Sequence, residues 1–164
     1  MGSEAVRAWL DRHAPDLRLI EVEESTATVA DAARALGVEP ARIAKSLAVR
    51  AGDTIFLLVT SGDARLDNGK CKTALGARPR MLGPAETLAV TGHPVGGVCP
   101  FALPRGLPVY LDQSLKAFDI IYPAGGTLTS SVEVGTDRLF DLVGDEWVDL
   151  CRLPSEPGGV ERGG

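Results

Sequence analysis

One lysine and one loop rich in glycine and proline are the parts of this chain whose residue types and spacing could do chemistry. The loop runs from Gly92 to Pro100 (GHPVGGVCP) and contains three glycines and two prolines. Glycine lets another backbone approach closely, and proline fixes φ and removes a donor, so the segment is predicted outside helices and central strands. Its main-chain amides could hold a polar ligand. An ordinary tight surface loop would have the same composition.

The lysine is Lys45, within the predicted strand Ile43–Arg50. The period of two along a strand places it on one face with Ile43, Leu47 and Val49, which are all apolar. A cation on such a face either extends to water or lies at the bottom of a cleft. The second interpretation, with Lys45 facing the loop, predicts a polar site between the two.

Histidines and cysteines are too few for several familiar kinds of active site. The chain has only His13 and His93, in no metal-ligand spacing, and no GxSxG, GxGxxG or GxxxxGK motif. No metal and no cofactor are therefore expected. Cys71, Cys99 and Cys151 are odd in number and are interpreted as reduced thiols of a cytoplasmic protein. A Cys99–His93 nucleophile pair remains an alternative because both residues lie in the loop.

Charge is distributed unevenly along the chain, whose net charge is −5. Residues 42–80 hold eight basic and three acidic residues, whereas the rest hold nine basic and nineteen acidic. A basic block on an acidic chain indicates either one face that binds phosphate or a mixed solvated surface. The basic residues of the block are Arg42, Lys45, Arg50, Arg65, Lys70, Lys72, Arg78 and Arg80.

The elements that must position these residues are predicted from periodicity and caps. One domain is expected over residues 1–153, followed by a flexible tail over 154–164, with no membrane span and no secretory signal. Helices are predicted at 3–14 (capped by Ser3), 29–36 (capped by Thr26 or Thr28), 68–75 (capped by Asp67, with Cys71, Ala74 and Leu75 inward), 84–90 and 137–142 (capped by Thr136). Strands are predicted at 17–22, 43–50, 54–60, 108–112, 118–122, 128–134 and 147–150. Paired strands with few helices favour an α+β fold with a mixed sheet.

Several segments, taken together and in order, resemble the YbaK/EbsC family, whose fold is shared with the editing domain inserted in bacterial prolyl-tRNA synthetases. The resemblance covers about residues 17–150 and includes the family's GxxxP motif, here Gly96 to Pro100. The matching segments are IAKSL (43–47), SGDARLD (61–67), ALG (74–76), TGHPVGGVCPF (91–101), VYLD (109–112) and AGG (124–126). The chain departs from the family pattern at Gly69, where many members have lysine, and at Pro123, which is often serine.

The resemblance implies a single α+β domain with a mixed, mostly antiparallel, barrel-like sheet surrounded by helices. It also implies trans-editing: hydrolysis of the ester of a mischarged tRNA, with a small amino acid such as alanine or cysteine on tRNA(Pro). Lys45 would hold the terminal nucleotide, and the amides around Gly96 and Gly97 would orient the carbonyl. The substrate-binding residues carried over from the family are Lys45, Ser46, Gly62, Val98, Cys99, Pro100, Ala124, Gly125 and Gly126.

An activated ester needs no metal or side-chain nucleophile, because positioned water and stabilisation of the oxyanion can suffice. The expected partner is the acceptor end of aminoacyl-tRNA, and a synthetase is a second candidate. Neither DNA nor a membrane is expected, and the expected state is a monomer or weak homodimer. The alternative function is a non-catalytic module of the same fold that binds a tRNA end or a synthetase.

Overall fold

The structure is a computed structural model that describes residues 3–154. The side chain of Ser3 and nearly all of the predicted tail lie outside the described residues. The helices are α1 (Ser3–His13), α2 (Val29–Leu36), α3 (Asn68–Leu75), α4 (Pro84–Thr91) and α5 (Thr136–Val143). The strands are β1 (Leu19–Glu21), β2 (Ile43–Ala51), β3 (Thr54–Ser61), β4 (Arg65–Leu66), β5 (Pro79–Met81), β6 (Val109–Asp112), β7 (Ile120–Pro123), β8 (Ser130–Val132), β9 (Val134–Gly135), β10 (Glu146–Val148) and β11 (Cys151–Arg152).

The long hairpin β2–β3 is the centre of the fold. Its strands pair in antiparallel register from Ala44–Ser61 to Ala51–Thr54. Gly52 has φ of 62° in the connecting turn, a conformation that side chains rarely adopt. The hairpin therefore confirms the predicted strands at 43–50 and 54–60 and the turn between them.

The sheet around this hairpin is mixed, in the order β10-β6-β3-β2-β7-β9, with β5 also paired to β2. The β3–β6, β6–β10 and β2–β7 pairs are parallel, and the β2–β3, β2–β5 and β7–β9 pairs are antiparallel. Two further antiparallel pairs, β1–β8 and β4–β11, complete a curled half-barrel. The predicted α+β fold with a mixed, mostly antiparallel sheet is confirmed.

Apolar side chains cover both faces of the hairpin. On one face Leu57 and Val59 pack with the core that includes α1 and Phe101. On the other, Phe56 and Leu58 pack with a second core that includes Cys71 of α3. A strand buried on both faces reads as a continuous apolar run, as IFLLV does in β3.

The helices begin and end largely where the sequence predicts. Thr28 accepts a hydrogen bond from the Asp31 amide, Asp67 accepts one from the Lys70 amide, and Gly37 and Gly76 end their helices with positive φ. These are standard caps. No helix within residues 3–154 has the length and apolarity needed to cross a membrane.

Three local predictions are wrong. Thr136 does not cap α5; it is the first residue of that helix, and its hydroxyl donates to Phe118 O at 2.5 Å. Ala74 is exposed, so only Cys71 of α3 is fully buried. The predicted strand 128–134 is divided at Glu133, because β8 pairs with β1 whereas β9 pairs with β7. The short strands β4, β5 and β11 were not predicted.

Candidate active site

A cleft of about 300 Å³ lies along one edge of β2. β7 pairs with β2 at Ile43 and Ala44, and β5 pairs with it from Val49 onward. Among the described strands none pairs with β2 between those points on this side. The sheet is therefore open for four residues, and we call this gap the β2 opening (residues 45–48).

Both faces of β2 contribute to the cleft because it lies at the edge of the strand. Six consecutive residues, 43–48, line it. Lys45 shares its face with its cross-strand partner Thr60. Ala44, on the opposite face, packs in the same core as Val98 of the Gly92–Pro100 loop. The cleft thus brings Lys45 and the loop residues Gly96 and Val98 to one site, from opposite faces of the strand.

The Lys45 ammonium is half-buried and directed towards the segment before β4. Its Nζ donates to Ala64 O at 2.5 Å, and Asp63 and Arg65 lie near enough to influence it. Burial is the main reason why the pKa of Lys45 lies below its ordinary value of 10.5; Arg65 acts in the same direction, and Asp63 opposes it. An ammonium has three donors, so the bond to Ala64 leaves two for a ligand.

Ser46 contributes an unpaired hydroxyl and an unpaired stretch of backbone. Its Oγ is buried and has no hydrogen-bond partner among the described residues. Ala48 O, two residues along, accepts from Leu82 N at 3.1 Å across the edge of β2. Main-chain groups alternate sides along a strand, so the Ser46 N–H and C=O also point to this edge, at the opening. A ligand in the cleft can therefore bond to both kinds of group.

The cleft wall is apolar apart from hydroxyls, backbone and one lysine. Thr26, Ala27, Thr28, Val29 and Ala32 line it at the start of α2, and Met81, Leu82, Thr87 and Tyr122 line it elsewhere. No lining residue, within the part of the chain that the structure describes, is an acid, a histidine or a cysteine. No group of three such residues there could hold a metal ion. The start of α2 adds a partial positive charge beside the cleft.

The two loop glycines predicted to be catalytic have different positions. Gly96 lines the cleft with φ of 94°, and its amide has no hydrogen-bond partner among the residues described. The Gly97 amide instead donates to Pro94 O at 2.9 Å. A Cβ on Gly97 would lie 2.9 Å from the Thr127 nitrogen. Of the amides around Gly96 and Gly97 that were expected to orient the carbonyl, the amide of Gly97 itself is used in a turn, and the residue allows close backbone packing.

The Val98 amide is a better second donor. Val98 lines the cleft, and its N–H makes no hydrogen bond to any described group. Gly96 and Val98 are alternate residues of the loop; both line the cleft, and neither amide has a hydrogen-bond partner among the described residues. Such pairs suit an oxyanion when they point to one atom.

Cys99 belongs to the Gly92–Pro100 loop but is fully buried in the core and does not line the cleft. Its Sγ is 3.5 Å from His93 Nε2, and burial raises the pKa of the thiol to about 12. His93 Nε2 is 2.7 Å from Phe101 O, so this nitrogen carries the hydrogen. Cys99 and His93, the alternative nucleophile pair, are therefore in contact. The Cys99 thiol is fully buried, however, and stays protonated at neutral pH.

Of the remaining predicted substrate-binding residues, one lines the cleft and four do not. Ala124 lines the cleft, whereas Gly62, Pro100, Gly125 and Gly126 do not. A Cβ on Gly62 would lie 2.2 Å from Pro40 O, and one on Gly125 would lie 2.3 Å from Leu19 Cδ1. Gly62 is therefore required by packing against backbone, whereas Gly125 lies against the movable end of the Leu19 side chain.

The basic block does not form one free surface. Arg42 pairs with Glu39 and lies over the Phe118 ring, and Lys70 pairs with Asp149. Of the eight basic residues of the block, Lys45 is the one that lines the cleft.

Residues missed by the sequence reasoning come mainly from α2 and β5. Thr28 and Val29 were identified as the start of a helix but not as the cleft wall, and Met81 was assigned no element. The caps around α2 carry a clear signal for the helix, but nothing in the sequence shows that its first turn faces β2. That position depends on long-range packing of Val29 and Ala32 near Ile43.

The cleft combines one half-buried lysine with loop amides that have no partner among the described residues, and its described wall contains no acid, histidine or cysteine. The family model for the aminoacyl-tRNA editing domain matches residues 23–142. This chain belongs to the aminoacyl-tRNA editing domain family. The resemblance to YbaK/EbsC proteins noted from the sequence is confirmed.

Individual relatives agree with this assignment. The chain is 42% identical to "Uncharacterized protein YwhH" of Bacillus subtilis, over 93% of this chain and 98% of that protein. It is 26% identical to "Putative Cys-tRNA(Pro)/Cys-tRNA(Cys) deacylase EbsC" of Enterococcus faecalis, over 72% and 73% of the two chains. A crystal structure of "a putative trans-editing enzyme for prolyl tRNA synthetase" matches with a TM-score of 0.83 and 32% identity, over 92% of this chain and 96% of that one.

Proposed function

We propose that this protein hydrolyses the ester of mischarged aminoacyl-tRNA in trans, with a small amino acid such as alanine or cysteine on tRNA(Pro) as substrate. The observation that carries the proposal is the β2 opening, where Lys45, Ser46, Gly96 and Val98 line one cleft. The assignment to the editing family supports it. The place of action in this proposal is the cytoplasm, where tRNA is charged.

In the proposed reaction the protein supplies position and hydrogen bonds. The Lys45 ammonium binds the phosphate of the terminal nucleotide, because two of its donors remain available beside the Ala64 bond. The ester carbonyl lies towards the Gly96 and Val98 amides. Ser46 Oγ, which has no partner among the described groups, accepts from the substrate's amino group or holds the attacking water.

Water attacks the carbonyl carbon, and the C–O bond to the ribose then breaks. One proton of the water passes to the departing ribose oxygen, which leaves free amino acid and tRNA with an intact terminal hydroxyl. The described cleft wall contains no acid, histidine or cysteine, so the neighbouring ribose hydroxyl or the amine of the substrate carries the proton. Two amides on the oxyanion lower the barrier, and each such donor is typically worth about 3 kcal/mol.

A panel of mischarged tRNAs tests the proposal. The full chain is incubated with alanyl-, cysteinyl-, seryl- and prolyl-tRNA(Pro), and loss of the ester is followed against a no-protein control. We expect release of alanine or cysteine and little release of proline, because Val29, Ala32 and Ile43 line the cleft and limit the space for a larger side chain. Absence of hydrolysis for every member of the panel would contradict the proposal.

The second candidate function is a binding module without turnover. It is favoured by the same absence of a titratable base from the described cleft wall. This candidate predicts that charged tRNA(Pro) binds and is protected from spontaneous hydrolysis, the opposite of the result expected for an editing enzyme. One time course of ester loss therefore distinguishes the two.

A further inference from the structure

Two arginines lie directly opposite each other at the sheet edge next to the cleft. Arg50 of β2 is the antiparallel partner of Arg80 of β5. Directly opposite residues point to the same face with their Cβ atoms about 5 Å apart, and like charges placed so are destabilising. Arg50 pairs with Glu86 of α4, whereas Arg80 is exposed and makes no ion pair within residues 3–154. The site therefore holds two guanidinium groups and one carboxylate.

The pair is continuous with the cleft through three separate elements. Ala48, Met81 and Thr87 all line the cleft. Arg50 is two residues beyond Ala48 on the same face of β2, a distance of about 6.5 Å along a strand. Arg80 and Glu86 are the immediate neighbours of Met81 and Thr87. A chain that leaves the cleft along this edge must pass the two arginines.

Guanidinium groups suit phosphate, because their planar donors match its oxygens and they always carry charge. We propose that Arg50 and Arg80 bind a phosphodiester of the tRNA strand that leads into the cleft, and that Glu86 neutralises Arg50 when no tRNA is bound. This rests on the proposed function for the identity of the polyanion. It assigns the contact with the strand to two of the eight basic residues at 42–80, because these two lie together at the sheet edge next to the cleft.

Binding is tested with deacylated tRNA(Pro), which makes the result independent of turnover. The affinity of the full chain is measured by fluorescence anisotropy between 50 and 200 mM salt. Arg80→Ala is expected to weaken binding and to reduce the slope of log K against log salt by about 0.7, the value for one contact on a single strand. Arg80→Lys should keep most of the slope, because it keeps the charge. Glu86→Gln should strengthen binding, because it frees Arg50.

The matched control is Arg12→Ala, which removes an exposed arginine from α1, a helix that does not line the cleft. It should leave the slope unchanged. An unchanged slope in Arg80→Ala, or an equal loss in Arg12→Ala, would overturn the arginine site even if the protein edits. If all four variants bind tRNA as expected but no charged tRNA is hydrolysed, the arginine site is retained and the proposed function is rejected. No binding of tRNA(Pro) by the wild type would overturn the site, and capture of an acidic protein surface would then be the remaining use of the pair.

Discussion

At the scale of single residues, Lys45 is a charged group held in a place where charge is disfavoured. Its pKa is lowered mainly by burial, and one of its donors is committed to Ala64 O. A lysine in this position contributes little to folding, since the cost of burying the charge offsets the hydrogen bond. This cost is consistent with the anion-binding role proposed for Lys45 above.

Lys45→Ala is expected to abolish most hydrolysis. Loss of a hydrogen bond to a charged group costs about 1.5–3 kcal/mol, or roughly a ten- to hundredfold decrease in rate. The thermal midpoint should stay near that of the wild type. Deacylation rates and melting curves measure the two effects, with Lys72→Ala as the control because Lys72 is an exposed lysine of α3. Wild-type rates in Lys45→Ala would remove the central residue of the mechanism.

Gly97 is required for packing, because its Cα faces the backbone of Gly126 and Thr127. An added Cβ would lie 2.9 Å from the Thr127 nitrogen, and φ at Gly97 is outside the left-handed region. The neighbour is backbone and cannot rotate away.

Gly97→Ala should lower the free energy of unfolding by about 1–3 kcal/mol through overpacking. For a domain of this size each kcal/mol corresponds to a fall of roughly 2–4 °C in Tm. Gly83→Ala is the control for crowding: nothing lies within 4 Å of its added Cβ and its φ is −71°, so only the smaller loss from alanine at the N-cap of α4 is expected. Equal melting temperatures for both variants would contradict the packing role.

At the scale of elements, the Gly92–Pro100 loop is fixed by a buried histidine. His93 donates through Nε2 to Phe101 O, and its Nδ1 is buried without a partner among the described residues. Burial holds the pKa of His93 below its ordinary value of 6.5. Protonation would place a charge on an unpaired buried nitrogen, so the loop requires the neutral ring.

This arrangement predicts a loss of stability in mild acid. Below pH 6.5 the unfolded chain binds a proton at His93 that the folded chain does not, so the free energy of unfolding falls as pH falls towards the folded pKa. The contribution is at most about 1.4 kcal/mol per pH unit. Urea midpoints at pH 7.5 and 5.5 for wild type and His93→Gln isolate it from the titration of carboxylates. The glutamine variant, which keeps a donor but does not titrate in this range, should lose less. Equal losses in the two proteins would show that His93 is not the group responsible.

The helices and the longer strands can be predicted from the sequence, whereas the shortest strands cannot. The β2–β3 hairpin and the caps of α2 and α3 follow from local signals: a long apolar run, a Gly-Asp turn, Thr28, Asp67, and the helix-ending glycines. Strands β4, β5 and β11 are two or three residues long, too short for any periodicity, and they exist because a partner strand lies beside them. The β2 opening could not be predicted for that reason, since β5 forms one of its borders.

Some residues of the candidate site can be predicted from the sequence, and others depend on packing. Lys45 was found because a cation interrupts an apolar strand face, and Gly96 because glycine and proline concentrate in one loop. Ser46 entered only through the family resemblance. Gly97 and Cys99 carry the same sequence signals as Gly96, yet a turn hydrogen bond and complete burial exclude them from the cleft wall. Which loop atoms face a ligand depends on packing that the sequence does not encode locally.

At the scale of the whole molecule, the three thiols are all enclosed in cores. Cys71, Cys99 and Cys151 are buried, and burial raises the pKa of each, to about 11, 12 and 12 respectively. The reacting species of a thiol is the thiolate, so all three should be inert in the native state near neutral pH. We expect no thiol to take part in the reaction.

Alkylation tests this expectation. Native protein treated with iodoacetamide at pH 7.5 should stay unmodified by mass spectrometry and keep its deacylation rate, whereas protein in urea should take up three groups. Cys99→Ser should also remain active. Rapid native modification of Cys99 together with loss of activity would favour the nucleophilic cysteine over positioned water.

The β2 opening is an unpaired strand edge, and its length affects whether this protein can aggregate through it. Unpaired strand edges are templates on which a second chain can add a strand, and proteins commonly shorten, charge or cover them. Here the unpaired stretch lies between β7 and β5 and is only four residues long, below the usual five or six of a strand. Lys45 adds a charge at its start. A second chain would find only four residues between β7 and β5 on which to add a strand, which limits aggregation through this edge while leaving it open to the small aminoacyl group of the proposed substrate.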